Sequence, residues 1–160
     1  MRIILMRHGK PDLAESKPLA SHEFHQWINA YNHAPLCEQS TPNAEAQRIA
    51  SECALTVCSH LRRSQESARR LGLSVAHSGE IFREMEMPHG KLLLPKFSPA
   101  CWAILFRCLW FMGYTRNSES FFAARNRAVI AAQQLQELAR QHQSVVFVGH
   151  GLFNRYVAKE

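Results

Sequence analysis

Two short runs of branched apolar residues stand near the ends of the chain, Arg2-Ile3-Ile4-Leu5-Met6 and Val145-Val146-Phe147-Val148. Neither alternates with polar residues, so each reads as a strand buried on both faces, the pattern of a parallel sheet between helical layers. Arg7-His8-Gly9 follows the first run and Gly149-His150-Gly151 the second. Ligands of open α/β sheets bind beyond the carboxyl ends of the strands. If these two strands pair side by side, His8 and His150 meet at one rim.

The residues between them complete that architecture. Ser21 is placed to cap a helix whose Phe24, Trp27, Ile28 and Tyr31 share a face, and Thr41-Pro42 to open a second helix bearing Ala46, Ile49, Ala50 and Cys53. Leu55–Cys58 reads as a strand, Leu61–Leu71 as a helix stopped by Gly72, and Leu73–His77 as a further strand. Gly79, Pro88, Gly90 and Pro95 make residues 79–98 mostly loop. Ser98-Pro99 begins a strongly apolar helix to about Gly113, Ser118 caps a long helix to about His142, and another starts at Leu152. The alternation predicts a three-layer α/β/α fold: a mostly parallel, doubly wound sheet with a helical insertion after the first strand. Residues 1–160 are expected to form one domain.

Composition narrows the partner classes. A net charge of +6 favours anionic ligands, but the basic residues are scattered and no nucleic-acid signature is present, so nucleic acid is not expected. Cys37, Cys53, Cys58, Cys101 and Cys108 are odd in number and irregularly spaced, which reads as free thiols in a reducing compartment. The first apolar run is too short for a signal peptide, and the expected location is cytoplasmic. The apolar stretch from Cys101 to Tyr114 is too short to span a bilayer and contains Arg107, so no membrane partner is expected. Its apolar surface makes a homodimer plausible. His22-Glu23-Phe24-His25 spaces its histidines three apart, not the four of a zinc-protease helix, so no metal is expected.

Arg7 and His8 suggest an anion site containing a nucleophile, because neutral imidazole attacks well near neutral pH and a guanidinium fork matches phosphate oxygens. The run Ser59–Ala68 passes from a strand end into a helix, placing Arg62 or Arg63 at a helix N-terminus that attracts anions. Glu84 or Glu86 in the loop region is suited to protonate a leaving alkoxide. The glycines around His150 favour close backbone approach to a ligand.

Taken together, these segments resemble the histidine phosphatase superfamily, the phosphoglycerate mutase-like clan. Arg7-His8-Gly9 resembles its opening motif, and Ser59-x-Leu61-x-Arg63-x-x-x-Ser67-Ala68 its second. Phe82-Arg83-Glu84 is similar to its acid loop, Glu119-Ser120 with Arg127 to a helix start with a downstream arginine, and Gly149-His150-Gly151 to its second histidine motif. The resemblance implies a metal- and cofactor-free two-step phosphoryl transfer from a small phosphorylated substrate. His8 would become phosphohistidine, Arg7, Arg63, His150 and Gly151 would hold the phosphate, and Glu84 would serve as acid and then base. The implied enzyme is a phosphomonoester hydrolase of the histidine acid phosphatase type. A mutase, a protein phosphohistidine phosphatase and a non-catalytic phospholigand-binding module are the alternatives. Lys10-Pro11-Asp12 stands where many relatives carry a small polar residue and an asparagine, and Pro88 lies near an acid loop that lacks their glycine. The chain carries fewer residues after His150 than relatives usually do, as a truncated or short form would.

Overall fold

The computed structural model of the chain describes residues 1–14 and 17–160. Strands β1 (Arg2–Arg7), β2 (Leu55–Ser59), β3 (His77–Gly79) and β4 (Ser144–Gly149) form one sheet in the order β1-β4-β2-β3. All three pairings are parallel. β4 therefore lies in the middle, and Val145, Val146, Phe147 and Val148 are fully buried, as their unbroken apolar run requires. Burying one such side chain contributes about 1.5–3 kcal/mol.

Successive side chains of β4 point to opposite faces, which separates the core into two layers. On one face Val145 and Phe147 pack with α5 (Phe121–His142) and α6 (Gly151–Val157). The α5 surface against the sheet is mostly alanine: Ala124, Ala128, Ala131, Ala132 and Ala139 are buried beside Leu135. On the other face Val146 and Val148 meet Ala50 of α2 (Ala44–Ser51) and Ala68 of α3 (Arg62–Arg70). The helical insertion after β1 is α1 (Phe24–His33), which packs away from the sheet on α4 (Pro99–Phe111) through Phe24, Trp102 and Phe106. The expected three-layer α/β/α fold is thus present.

Several local expectations shift. The cap of α2 is Asn43, whose Oδ1 accepts from Ala46 N at 2.7 Å, so Thr41-Pro42 precedes the helix. Ser120 caps α5 by accepting from Ala123 N, while Ser118 lies outside the helix beyond Asn117, whose φ is +58°. Ser21 caps nothing. Its buried hydroxyl accepts from Leu92 N at 2.7 Å, and a short 3-10 turn over Ser21–Glu23 leads into α1. β3 begins at His77, because only Val57–Ser59 of the short β2 reach it. The stop of α3 is as expected, with Gly72 at φ +75° where a side chain would be strained. Trp102, Phe106 and Trp110 bury one face of α4, and Ile104, Phe111 and Met112 remain exposed. No helix among the described residues is long and apolar enough to cross a membrane. All five cysteines are free thiols.

Candidate active site

The register of β1 on β4 pairs Arg7 with Gly149, and His8 N donates to Gly149 O at 3.0 Å. The next residue on each strand is therefore a histidine beside a histidine. The rings of His8 and His150 stand edge to face with centroids 5.0 Å apart. Asn154 ties the two strand ends together: its Oδ1 accepts from His150 N at 3.1 Å and its Nδ2 donates to Met6 O at 3.0 Å.

His8 is 7% exposed, and its Nδ1 lies 2.7 Å from Gly9 O. A carbonyl only accepts, so Nδ1 carries the proton and Nε2 presents a lone pair. Arg63 Nε donates to that lone pair at 3.2 Å. Burial pushes the His8 pKa down to about 4; the Gly9 hydrogen bond opposes this, while Arg63 and Arg7 add to it. His150 is fully buried, and among the described residues neither ring nitrogen has a hydrogen-bond partner. Burial, then Arg63 and His8, push its pKa to about 2. Both imidazoles are neutral at pH 7.

Arg63 sits in the first turn of α3, just after the end of β2, and is 2% exposed. Serines fix that helix against the neighbouring strand ends. Ser64 Oγ accepts from Ser59 N and donates to Val148 O, and Ser67 Oγ accepts from Gly9 N at 2.9 Å. Arg62, by contrast, points to solvent and pairs with Glu66 at 2.6 Å. Arg7 lies across the first residue of α6, where a Cβ on Gly151 would stand 3.3 Å from Arg7 Nε. The glycine admits that guanidinium beside the helix N-terminus.

Glu84 follows β3 and a 3-10 turn over Glu80–Phe82. Its carboxylate accepts from Phe153 N at 2.9 Å, Met85 N at 3.0 Å and Leu152 N at 3.3 Å, so it reaches the helix that begins beside His150. Glu86 is committed elsewhere, accepting from Glu119 N at 2.6 Å and pairing with Arg83 at 3.2 Å. The acid loop is held by two arginines from distant helices. Arg127 of α5 donates to the carbonyls of Arg83 at 2.8 Å, Ile81 at 3.0 Å and Glu84 at 3.4 Å, and grips the Glu119 carboxylate at 2.5 and 3.1 Å. Arg107 of α4 donates to Met85 O at 2.9 Å and Glu86 O at 3.0 Å.

The structure thus brings Arg7, His8, Arg63, Glu84, His150 and Gly151 to one rim. It adds Tyr31, Asn32, Arg107 and Asn154, which no motif marked. Two clefts open there. One of about 660 Å³ is lined by Arg7, His8, Lys10, Trp27, Tyr31 and Pro99; the other, of about 530 Å³, by Tyr31, Asn32, Arg63, Glu84, Met87 and Arg107. Trp27 and Tyr31 belong to both, whereas Trp102 is sealed in the core and donates through Nε1 to Leu19 O.

A family model for the histidine phosphatase superfamily (branch 1) matches residues 3–160. The chain belongs to that superfamily. No curated protein matches it significantly in sequence. Among solved structures, this histidine phosphatase chain resembles the product of open reading frame Rv3214 of Mycobacterium tuberculosis (22% identity, TM-score 0.67), covering 98% of this chain and 77% of the other. It also resembles the α-ribazole phosphatase of Shigella flexneri (21%, 0.62, covering 94% and 74%). A third is the mycobacterial glucosyl-3-phosphoglycerate phosphatase Rv2419c (19%, 0.60, covering 98% and 77%). At these identities the likeness is one of fold, and two of the three proteins are named as phosphatases.

Proposed function

We propose that the protein hydrolyses phosphomonoesters of small molecules through a phosphohistidine on His8, without metal or cofactor. The observation that carries this reading is the state of His8: neutral, pinned through Nδ1 to Gly9 O, with its Nε2 lone pair under the Arg63 guanidinium. As the phosphate enters, the Arg63 N–H turns from the Nε2 lone pair to a phosphate oxygen; the freed Nε2 attacks phosphorus and the ester P–O bond breaks, the leaving oxygen taking a proton from Glu84. In the second step Glu84 takes a proton from water, whose oxygen bonds to phosphorus as the N–P bond breaks and releases phosphate. Arg7 and Arg63 stabilise the equatorial charge, and the unpartnered ring of His150 donates one N–H to a phosphate oxygen. Superfamily membership and the names of the similar structures support phosphatase chemistry. The clefts are of a size suited to a small molecule.

The test is labelling by ³²P-esters drawn from sugar, nucleotide and aryl phosphates, quenched in alkaline detergent to preserve phosphohistidine. A base-stable, acid-labile label and phosphate release are expected, both lost in His8→Ala, with kcat falling on the order of 10³-fold or more. Tight binding of these esters without label or phosphate release would show a phospholigand-binding module instead.

A further inference from the structure

Arg63 is also held from a side that takes no part in this chemistry. Its guanidinium lies over the ring of Tyr31, 4.8 Å from the centroid, and its Nη1 donates to Asn32 Oδ1 at 3.2 Å. Both residues belong to α1, the helix inserted after the first strand. Behind Tyr31 runs a column of stacked rings: Trp27 at 5.2 Å, then Phe24 at 5.6 Å, then Phe106 of α4 at 5.5 Å. Phe24 and Phe106 are fully buried. The column ends on a guanidinium whose Nε points at the nucleophilic nitrogen of His8.

The partners of Arg63 are chemically distinctive. A guanidinium locked to a carboxylate has its charge cancelled and its fork turned to that partner. Here the holding contacts are an amide oxygen and a ring face, which fix direction and leave the positive charge whole. Tyr31 and Asn32 also line the cleft with Glu84, so the same residues that aim Arg63 meet whatever enters.

We propose that Tyr31 and Asn32 are positioning residues that aim Arg63 at His8 and the incoming phosphate, so that the inserted helix sets the phosphate pocket jointly with the sheet. The proposal rests on the reading of His8 as nucleophile and Arg63 as phosphate ligand. The groups facing His8 are Arg7 on β1, Arg63 on α3 and His150 at the end of β4, and those facing Arg63 include Tyr31 and Glu84.

The experiment uses Tyr31→Leu, Tyr31→Phe and Asn32→Ala in the full chain. Three readouts are taken: phosphate release, inhibition by orthovanadate, and the NMR titration of the His8 ring. Tyr31→Leu and Asn32→Ala are expected to lower kcat/KM about ten- to a hundred-fold, the scale of a misplaced catalytic contact. They should weaken vanadate inhibition and move the His8 titration upward as the Arg63 charge withdraws. Tyr31→Phe keeps the ring face and should recover most of what Tyr31→Leu loses. Unchanged titration and vanadate inhibition in both damaging variants would overturn the proposal, as would a Tyr31→Phe variant as impaired as Tyr31→Leu. If Tyr31→Leu does not fold by circular dichroism, Asn32→Ala at its half-buried polar position decides alone. A wild-type protein that releases no phosphate from any ester would defeat the functional reading, while titration and vanadate binding still test the positioning.

Discussion

His8 and His150 stand on strand ends whose backbone is fixed by the β1–β4 ladder, whereas Glu84 stands on a loop with no strand partner. In the first region, neighbouring backbone groups satisfy one another and place the side chains that follow. In the second, the carbonyls of Ile81, Arg83, Glu84, Met85 and Glu86 are taken by two guanidinium groups from α4 and α5. Backbone groups away from water need a partner wherever they lie. A sheet supplies that partner along its length, but a loop depends on a few long side chains. The nucleophile half of the site should therefore tolerate surface changes, and the acid half should fail through single arginines.

The most severe test of that contrast is Arg127→Met. It leaves the Glu119 carboxylate with only Glu86 N at 3.2 Å and Arg83 at 3.6 Å, and three loop carbonyls without their Arg127 donor, a loss of about 3 kcal/mol in urea denaturation, with kcat falling alongside. A loss under about 1 kcal/mol with kcat intact would mean the loop holds itself. Next in size, Glu84→Gln is expected to lower kcat/KM, which reports the phosphorylation step, about 10²-fold on alkyl phosphates and far less on p-nitrophenyl phosphate, whose leaving group needs no proton. Equal losses on both esters would move the acid role elsewhere.

The third test concerns pH. Both histidines are held below the ordinary value of 6.5, His8 at about 4 and His150 at about 2, with burial the main cause. As pH falls below 6.5 the unfolded chain takes up these protons first. Stability should therefore be complete above 6.5 and decline by about 1.4 kcal/mol per unit for each histidine down to about pH 4. Over that range His8 stays neutral, so the acidic limb of kcat/KM should lie near 4 to 5, not near 6.5. Melting temperatures that do not fall between pH 7 and 5 would contradict the burial argument. The smallest expected effect is Arg62→Ala. It removes an i,i+4 pair with Glu66 in which Arg62 is 56% exposed, and should cost under about 0.5 kcal/mol with activity within about two-fold. A loss as large as that of Arg63→Ala would reverse the assignment of the two arginines.

Much of the nucleophile half was legible because its signals are local. The unbroken apolar runs of β1 and β4, the histidine after each, and the arginine in the first turn after β2 all lie within a few residues of a strand end. The choice between Arg62 and Arg63, and between Glu84 and Glu86, was not local. The residue types alone left both pairs open; the motif resemblance favoured Arg63 and Glu84, and packing buries Arg63 while Arg62 pairs with Glu66 at the surface. The starts of α2 and α5 moved for a similar reason, since several polar residues stood near each and only one could meet the free N–H groups of the first turn.

Hydrophobic periodicity specifies a parallel sheet carrying two histidines on its strand ends, because unbroken apolar runs need cover on both faces. Packing sets the strand order that makes those histidines neighbours, with β1 a half-buried edge and β4 fully buried, and the chemical state of each. It also decides which distant side chains hold the rest: Tyr31 and Asn32 on Arg63, Asn154 between the strand ends, Arg107 and Arg127 on the acid loop. Those contacts join positions up to 148 residues apart, as Asn154 and Met6 are, and no spacing along the chain encodes them. They arise when burial removes water and each polar group must find its partner within reach.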